Sequence, residues 1–372
     1  MCALAFAASI VVNPVAVQGQ ERSRPRRSPA VGLDRKTEAA VQQGLAYLAR
    51  RQNTDGSWTD RVGRKVYTSY RGKVGEHVGV TALGGLAFLS NGAVPHGGPG
   101  KYVDRYGVTV FGHRVVEKAV DFLIEHTAET GFMSFNGSRM YSHAFGALFL
   151  AEAYGMGYSR GGRLKAALKR AIAMIENSQN EEGGWRYRPI AEDSDMSITV
   201  CQVMALRAAN NAGVGVRKET IDKAVRYVRN SFLPTVGAFT YQLGPEFRGV
   251  PSRHSFALTA AGVATLYGAG EYNATKIIHR AVDYIWNNRP HYTEARYHFD
   301  YYYGQYYAVQ AMFQKGDDDW ARWYDDYIKP DLLALQEQPG GFWTDLVGSS
   351  YATAMACIIL QFPNQYLPIT EN

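Results

Sequence analysis

The sequence predicts an all-α protein, a closed (α/α)6 toroid of six helical hairpins with an outer ring of helices around an inner one. Three observations carry this. Six amphipathic segments alternate with six that are apolar nearly all round. Five of the apolar segments run into a glycine at a recurring distance. The links from amphipathic to apolar partner repeat a Gln, Gly, aromatic pattern. Self-similarity of this length marks stacked units, each of which buries its apolar face only against its neighbours.

The outer segments, in order, are EAAVQQGLAYLARRQ, HRVVEKAVDFLIEH, LKAALKRAIAMIENSQ, KETIDKAVRYVRNSF, ATKIIHRAVDYIWNN and WARWYDDYIKPDLLALQEQ. Apolar residues recur at helical spacing (Val120, Leu123 and Ile124 in the second; Ala224, Tyr227 and Val228 in the fourth), with charges on the opposite face. The inner segments are TALGGLAFLSNG, HAFGALFLAEAYGMG, ITVCQVMALRAANNAG, FALTAAGVATLYGAG and YYAVQAMFQKG, ending at Gly92, Gly157, Gly213, Gly270 and Gly316; YATAMACIILQF is the sixth. Those glycines read as helix C-caps, where a left-handed residue is needed. Helix pairs also stack as open superhelices, but six pairs without polar capping repeats favour closure.

The turns inside the hairpins carry the second pattern. Gln52, Asp55, Gly56, Ser57 and Trp58 spell Q-x-x-D-G-S-W. Gln179, Gly183, Gly184 and Trp185 spell Q-x-x-x-G-G-W, and Gln336, Gly340, Gly341, Phe342 and Trp343 repeat it with one aromatic inserted. The Gln should end the outer helix, glycine supply the positive φ, and the aromatic fold back on the pair, a structural role. Turn two (Gly131, Phe132) and turn four (Gly237, Phe239) keep a Gly and an aromatic, whereas turn five (Tyr292, Ala295, Tyr297) has lost the Gly. These turns between paired helices resemble the QW-type repeats of squalene/hopene cyclases and the related prenyltransferase β-subunit repeats, over roughly residues 35–365. The resemblance speaks to fold more than to chemistry, because one fold hosts many functions.

Composition bounds the rest. With 46% hydrophobic and 20% charged residues the chain is an ordinary folded protein. Half of the net charge of +6 lies in residues 21–29 (ERSRPRRSP), so the folded part is no nucleic-acid binder by charge. Residues 1–20, apolar and rich in small residues, read as an export signal whose start is truncated, residues 21–34 as a basic Pro/Arg linker, and residues 35–372 as the toroid; the expected location is periplasmic or extracellular. No later segment is long and apolar enough to span a membrane. Cys201 and Cys357 lie in apolar runs and read as buried free thiols.

In a toroid the inner helices run parallel, so their N-termini, with unpaired N–H groups, converge on one rim that suits a polar or anionic ligand. The residues placed there are Glu76 and His77, Tyr141 and His143, Asp193 and Asp195, Arg253 and His254, Tyr301, Tyr303 and Gln305, and Ser349 and Tyr351. Asp193, Asp195, His143 and His254 are the catalytic candidates; His77, Tyr141, Arg253, Tyr301, Tyr303, Gln305 and Tyr351 are the ligand-binding ones. Resemblance to class II terpene cyclases implies D-x-D-D, whose middle acid protonates an alkene or epoxide. Asp193 and Asp195 match the first and middle acids, but Met196 replaces the last. Unless deeply buried, Asp195 is then expected to be an ionised cap of the helix that begins at Met196, assisted by Ser197.

The zinc site that prenyltransferases would imply is missing its D-x-C, and no Cys/His pair has ligand spacing, so neither metal nor cofactor is expected. The tyrosines from Tyr297 to Tyr307, with His298 and Asp300, suit carbocations through cation–π attraction or sugar rings through stacking. Three readings stand: an exported cyclase-like protein holding an isoprenoid; an α/α-toroid polysaccharide lyase or hydrolase using His143 or His254 with Arg253; and a non-catalytic binding module.

Overall fold

A computed structural model of the chain describes residues 33–64, 69–243, 253–295 and 300–370. The export signal, most of the linker, Tyr297 and His298 lie outside the described residues. Helix α1 (Arg35–Arg51) opens on Asp34, whose carboxylate accepts the Thr37 N–H at 2.9 Å. The chain continues through strands β1 (Thr59–Val62) and β2 (Lys73–Glu76), α2 (Val78–Leu89), β3 (Lys101–Val103) and β4 (Thr109–Phe111). Then come α3 (Gly112–Glu125), α4 (Met140–Gly155), α5 (Arg163–Asn177), α6 (Met196–Asn211) and α7 (Lys218–Asn230). After β5 (Phe232–Leu233) and β6 (Ala238–Phe239) follow α8 (Phe256–Gly268), α9 (Thr275–Asn287) and α10 (Tyr301–Lys315). Helices α11 (Asp317–Ala321), α12 (Lys329–Leu335) and α13 (Ser349–Leu360) complete the set.

The even-numbered helices α2 to α10, with α13, are the apolar segments, and nearly all their residues are buried. They touch in cyclic order: α2 on α4, α4 on α6, α6 on α8, α8 on α10, α10 on α13, and α13 back on α2. The amphipathic helices lie outside, α3 in the groove between α2 and α4, α5 between α4 and α6, α7 between α6 and α8, and α1 between α13 and α2. The spacing glycines do cap the inner helices: Gly92, Gly157, Gly213 and Gly270 all have φ between +77° and +96°.

Each Gln-to-Trp turn is a clamp built from three contacts. The Trp indole N–H donates back to the outer helix of its own pair, Trp58 to the Leu48 carbonyl, Trp185 to Ile175 and Trp343 to Leu332. The Trp backbone N–H donates forward to a threonine hydroxyl of the inner helix, Thr81, Thr199 or Thr353. The Gln amide reaches sideways to the next outer helix: Gln52 to the Val115 carbonyl, Gln179 to Thr220, and Gln336 to Ala40. The last of these joins the sixth turn to the first helix, across 296 positions of sequence.

Two features depart from the all-α expectation. Among the described residues, three two-stranded antiparallel pairs occupy the connections, β1–β2, β3–β4 and β5–β6. In β3 the alternation responsible is visible, Tyr102 buried between exposed Lys101 and Val103. The sixth outer segment, expected as one helix, runs as α11, a π-helical stretch Arg322–Ile328, and α12. Pro330 has no N–H to donate, which is the sequence reason for a ladder that shifts just before it.

Candidate functional site at the inner-helix N-termini

The starts of α4, α6 and α10 meet around Asp195. This aspartate is the N-cap of α6 and is fully buried. Its Oδ1 accepts from the Ile198 N–H at 3.0 Å and from the Ser197 hydroxyl at 2.6 Å, and Ser197 in turn accepts from the Tyr141 hydroxyl at 2.5 Å. Its Oδ2 accepts from the Tyr241 hydroxyl at 3.3 Å, which lies 2.6 Å from the Tyr187 hydroxyl. Arg186 Nε stands 3.7 Å from the same oxygen. Two hydroxyl chains therefore end on the two oxygens of one carboxyl.

Burial raises the Asp195 carboxyl to about 6, and the hydrogen bonds and Arg186 only partly offset that. The condition attached to the ionised-cap expectation, the absence of deep burial, is not met. Asp195 does cap α6, but it is buried deeply enough to change protonation close to neutral pH. Asp193 points outward instead and is ion-paired with Arg186.

Below Asp195 aromatic rings fill the axis. Tyr303 spans from α10 to the Ser197 carbonyl at 2.9 Å, and its ring meets Tyr141 edge-on at 6.2 Å. One turn further in, Phe145 meets Tyr306 at 6.1 Å, again between α4 and α10. Cys201 Sγ lies 3.3 Å from the Tyr307 hydroxyl and 3.7 Å from that of Tyr303. Burial pushes its thiol up to about 12, so it sits as an inert neutral group. Cys357 is likewise buried and free.

The other candidates divide by the face they occupy. His143 is fully buried, and its Nδ1 accepts the Met133 N–H at 3.1 Å. That places it in the hairpin interior, in the position threonine holds elsewhere, and burial lowers its imidazole to about 3. His77 caps α2, its Nδ1 accepting from Gly79 and Val80, and burial lowers it to about 4. Tyr301 and Gln305 are fully buried on the outer side of α10, Gln305 donating to the Tyr327 hydroxyl at 2.7 Å. His254 is exposed and bonded to Tyr284 at 2.9 Å, while the Arg253 guanidinium lies over the Tyr241 ring at 4.9 Å. Tyr351 starts α13, its N–H donating to Asp60 Oδ2 at 2.7 Å.

Sequence reasoning missed Arg186, Tyr187, Tyr241, Asp60 and Asp345. Four of these stand two residues beyond a turn aromatic: Asp60 after Trp58, Tyr187 after Trp185, Tyr241 after Phe239, and Asp345 after Trp343. The chain leaving the clamp delivers that position to the rim, so an offset of two was the available signal. Burial pushes both Asp60 and Asp345 up to about 7. Among the described residues no group of three or more His, Cys, Asp or Glu is placed to hold a metal.

The described residues form a predominantly helical, α/α-toroid-like fold. No protein-family profile and no curated sequence matches the chain. Solved structures do. A variant of the type II terpene cyclase MstE from Scytonema, bound to its product merosterolic acid A, superposes with a TM-score of 0.56 at 14% identity, over 88% of this chain and 97% of that one. The glycoside hydrolase family 76 mannosidase Bt3792 from Bacteroides thetaiotaomicron gives 0.60 at 11% identity, over 88% and 97%. A sugar epimerase from a ruminal bacterium gives 0.58 at 14%, over 87% and 98%. At such identities the likeness concerns the fold.

Proposed function

We propose that the chain is a closed (α/α)6 toroid of six hairpins that takes a small, hydroxyl-bearing ligand at the inner-helix N-terminal mouth, where Asp195 gives or accepts a proton. The observation that carries this is the buried Asp195 carboxyl with a hydroxyl chain on each oxygen, Tyr141–Ser197 on one and Tyr187–Tyr241 on the other. A carboxyl that titrates near 6 supplies the acid to a leaving oxygen or the base to a ligand hydroxyl within ordinary pH. The phenols and Arg253 at its edge suit stacking and hydrogen bonding to a sugar-like ring. The mannosidase and epimerase neighbours agree with a carbohydrate, although only through fold.

The isoprenoid reading keeps one observation in its favour: Asp195 matches the middle acid of D-x-D-D, and burial raises its carboxyl to about 6, toward the neutral form that protonation of an alkene requires. Against it, Tyr141–Tyr303 and Phe145–Tyr306 close the axis where a folded polyene would have to enter. Export and membrane association remain proposals on the sequence alone; no described helix is long and apolar enough to cross a membrane.

Calorimetry with neutral and uronate oligosaccharides and with a detergent-solubilised geranylgeranyl alcohol tests both readings. Binding of a saccharide, with turnover lost in Asp195→Asn while the melting midpoint is kept, supports the first. Selective binding of the geranylgeranyl ligand moves the assignment to the second. Binding of neither removes both.

A further inference from the structure

Away from the mouth, a second cavity of about 510 Å³ opens beside the end of α1, lined by Arg50, Arg51, Asn53, Thr59, Asp104 and Arg105. That volume lies in the range of small-molecule sites. Its charge is lopsided, three guanidinium groups against one carboxylate. The carboxylate is committed elsewhere: Asp104 Oδ1 accepts the N–H groups of Tyr106 and Val108, both at 2.9 Å, and so holds the tip of the β3–β4 hairpin. Neither Arg50 nor Arg51 forms an ion pair among the described residues, and both are exposed.

Arg50 and Arg51 alone would be explained by the carbonyl end of α1, which basic residues stabilise. Arg105 has no such reason. It comes from another segment 52 residues away, and its Nη1 donates to Asn53 Oδ1 at 2.8 Å, which holds it toward the same space. The Asn53 amide donates in turn to the Thr59 and Ser57 hydroxyls, both at 2.9 Å, which fixes the orientation of its carbonyl oxygen toward Arg105. Three guanidinium groups against a single lining carboxylate leave an excess of positive charge whose repulsion a bound anion relieves. The fork geometry of guanidinium matches the oxygens of a phosphate group.

We propose that this cavity binds a phosphate-bearing ligand, with Arg50, Arg51 and Arg105 as its anion clamp and Asn53 as the residue that positions Arg105. The chemistry is shared by a soluble phosphate monoester and a phospholipid headgroup, and the experiment separates the two sources.

Calorimetric titration of the full chain with inorganic phosphate and with glycerol phosphate, at low ionic strength, should give saturable binding. Arg105→Gln should weaken it about tenfold, and Arg50→Gln with Arg51→Gln should weaken it further. All three side chains are exposed, so the melting midpoint of each variant should match the parent. Sedimentation with phosphatidylglycerol and with phosphatidylcholine vesicles is the second arm. Arginine-dependent binding to the anionic vesicles alone assigns a headgroup, and binding of the soluble esters alone assigns a soluble ligand. Absence of binding in both arms overturns the proposal, as does binding that the arginine variants leave unchanged.

Discussion

At the fourth position of α4, His143 stands where Thr81, Thr199 and Thr259 stand in α2, α6 and α8, and like them it accepts the backbone N–H of a turn residue. A residue type that reads as catalytic in sequence is here a structural acceptor. His143→Thr should therefore keep the fold, whereas His143→Ala leaves the Met133 N–H unpaired beside a void and should cost about 2–4 kcal/mol in urea unfolding. The pH dependence gives a sharper test. Unfolded histidine titrates near 6.5, the folded one at about 3. Between those values the unfolded chain holds a proton that the native chain lacks, so this histidine removes stability as pH falls through the window. Asp195 acts with the opposite sign, since its raised carboxyl favours the native state at low pH and loses that contribution as pH rises through about 6. Comparing His143→Thr with the parent at each pH cancels the Asp195 effect. The variant should gain up to about 1.4 kcal/mol per pH unit relative to the parent below pH 6.5. A pH-independent difference would mean that His143 titrates in the native state as it does in the unfolded chain. The same residue shows where legibility ends. The pattern of apolar residues marks a helix and its burial, but a step of two residues in either direction separates Tyr303, on the axis, from Tyr301 and Gln305, on the outer side of α10. On a helix buried on every side no polar face remains to set that phase.

Among the elements, the clamp turns were the most legible part, because both glycine and tryptophan are demanded by geometry there. Gly131 has φ of +87°, and a Cβ built on it would lie 2.1 Å from the Arg170 carbonyl oxygen of α5; Gly56 and Gly183 meet Lys118 and Lys223 in the same way. The turn of each hairpin is thus pressed against the next outer helix, and a side chain would push the two apart. Gly213, by contrast, has φ of +77° with open space around its Cβ position. Substitution by alanine should cost about 1 kcal/mol at Gly213, the left-handed penalty alone. At Gly131 the backbone clash adds to that, for a loss of about 3 kcal/mol or more. Denaturant titration of the two variants side by side checks the difference, and equal losses would show that the turn can move off α5. The hairpins β1–β2 and β3–β4 were not legible, since strands of three or four residues give too few alternations to stand out among apolar helices.

For the whole molecule the question is whether the first and last hairpins are joined. Beside the packing of α13 on α1 and α2, specific contacts mark the joint, all linking positions far apart in sequence and therefore invisible to periodicity. Gln336 donates to the Ala40 carbonyl at 2.9 Å, Gly341 packs on Gln43, and Asp60, two residues past the first tryptophan, accepts the Tyr351 N–H of α13. In a closed ring the Gln336 clamp is equivalent to those of Gln52 and Gln179, each of which also ties its own turn to the next outer helix. In an open array it would hold only a terminal unit, and terminal units of solenoids unravel with little effect on the rest. The alanine variants of Gln52, Gln179 and Gln336 each lose two hydrogen bonds to backbone carbonyls, buried for Gln52 and Gln336 and part-buried for Gln179, for about 1–3 kcal/mol per variant. A ring should register all three losses similarly, in one transition on which far-UV circular dichroism and tryptophan fluorescence coincide. If Gln336→Ala instead produces a separate early phase, or no loss while the other two are destabilised, then α1 and α13 are not joined in solution. The mouth around Asp195 would survive that result, because Tyr141, Ser197, Tyr241 and Tyr303 come from hairpins two to five. The carboxyl of Asp60 would not, because its hydrogen bond to Tyr351 depends on the ends meeting.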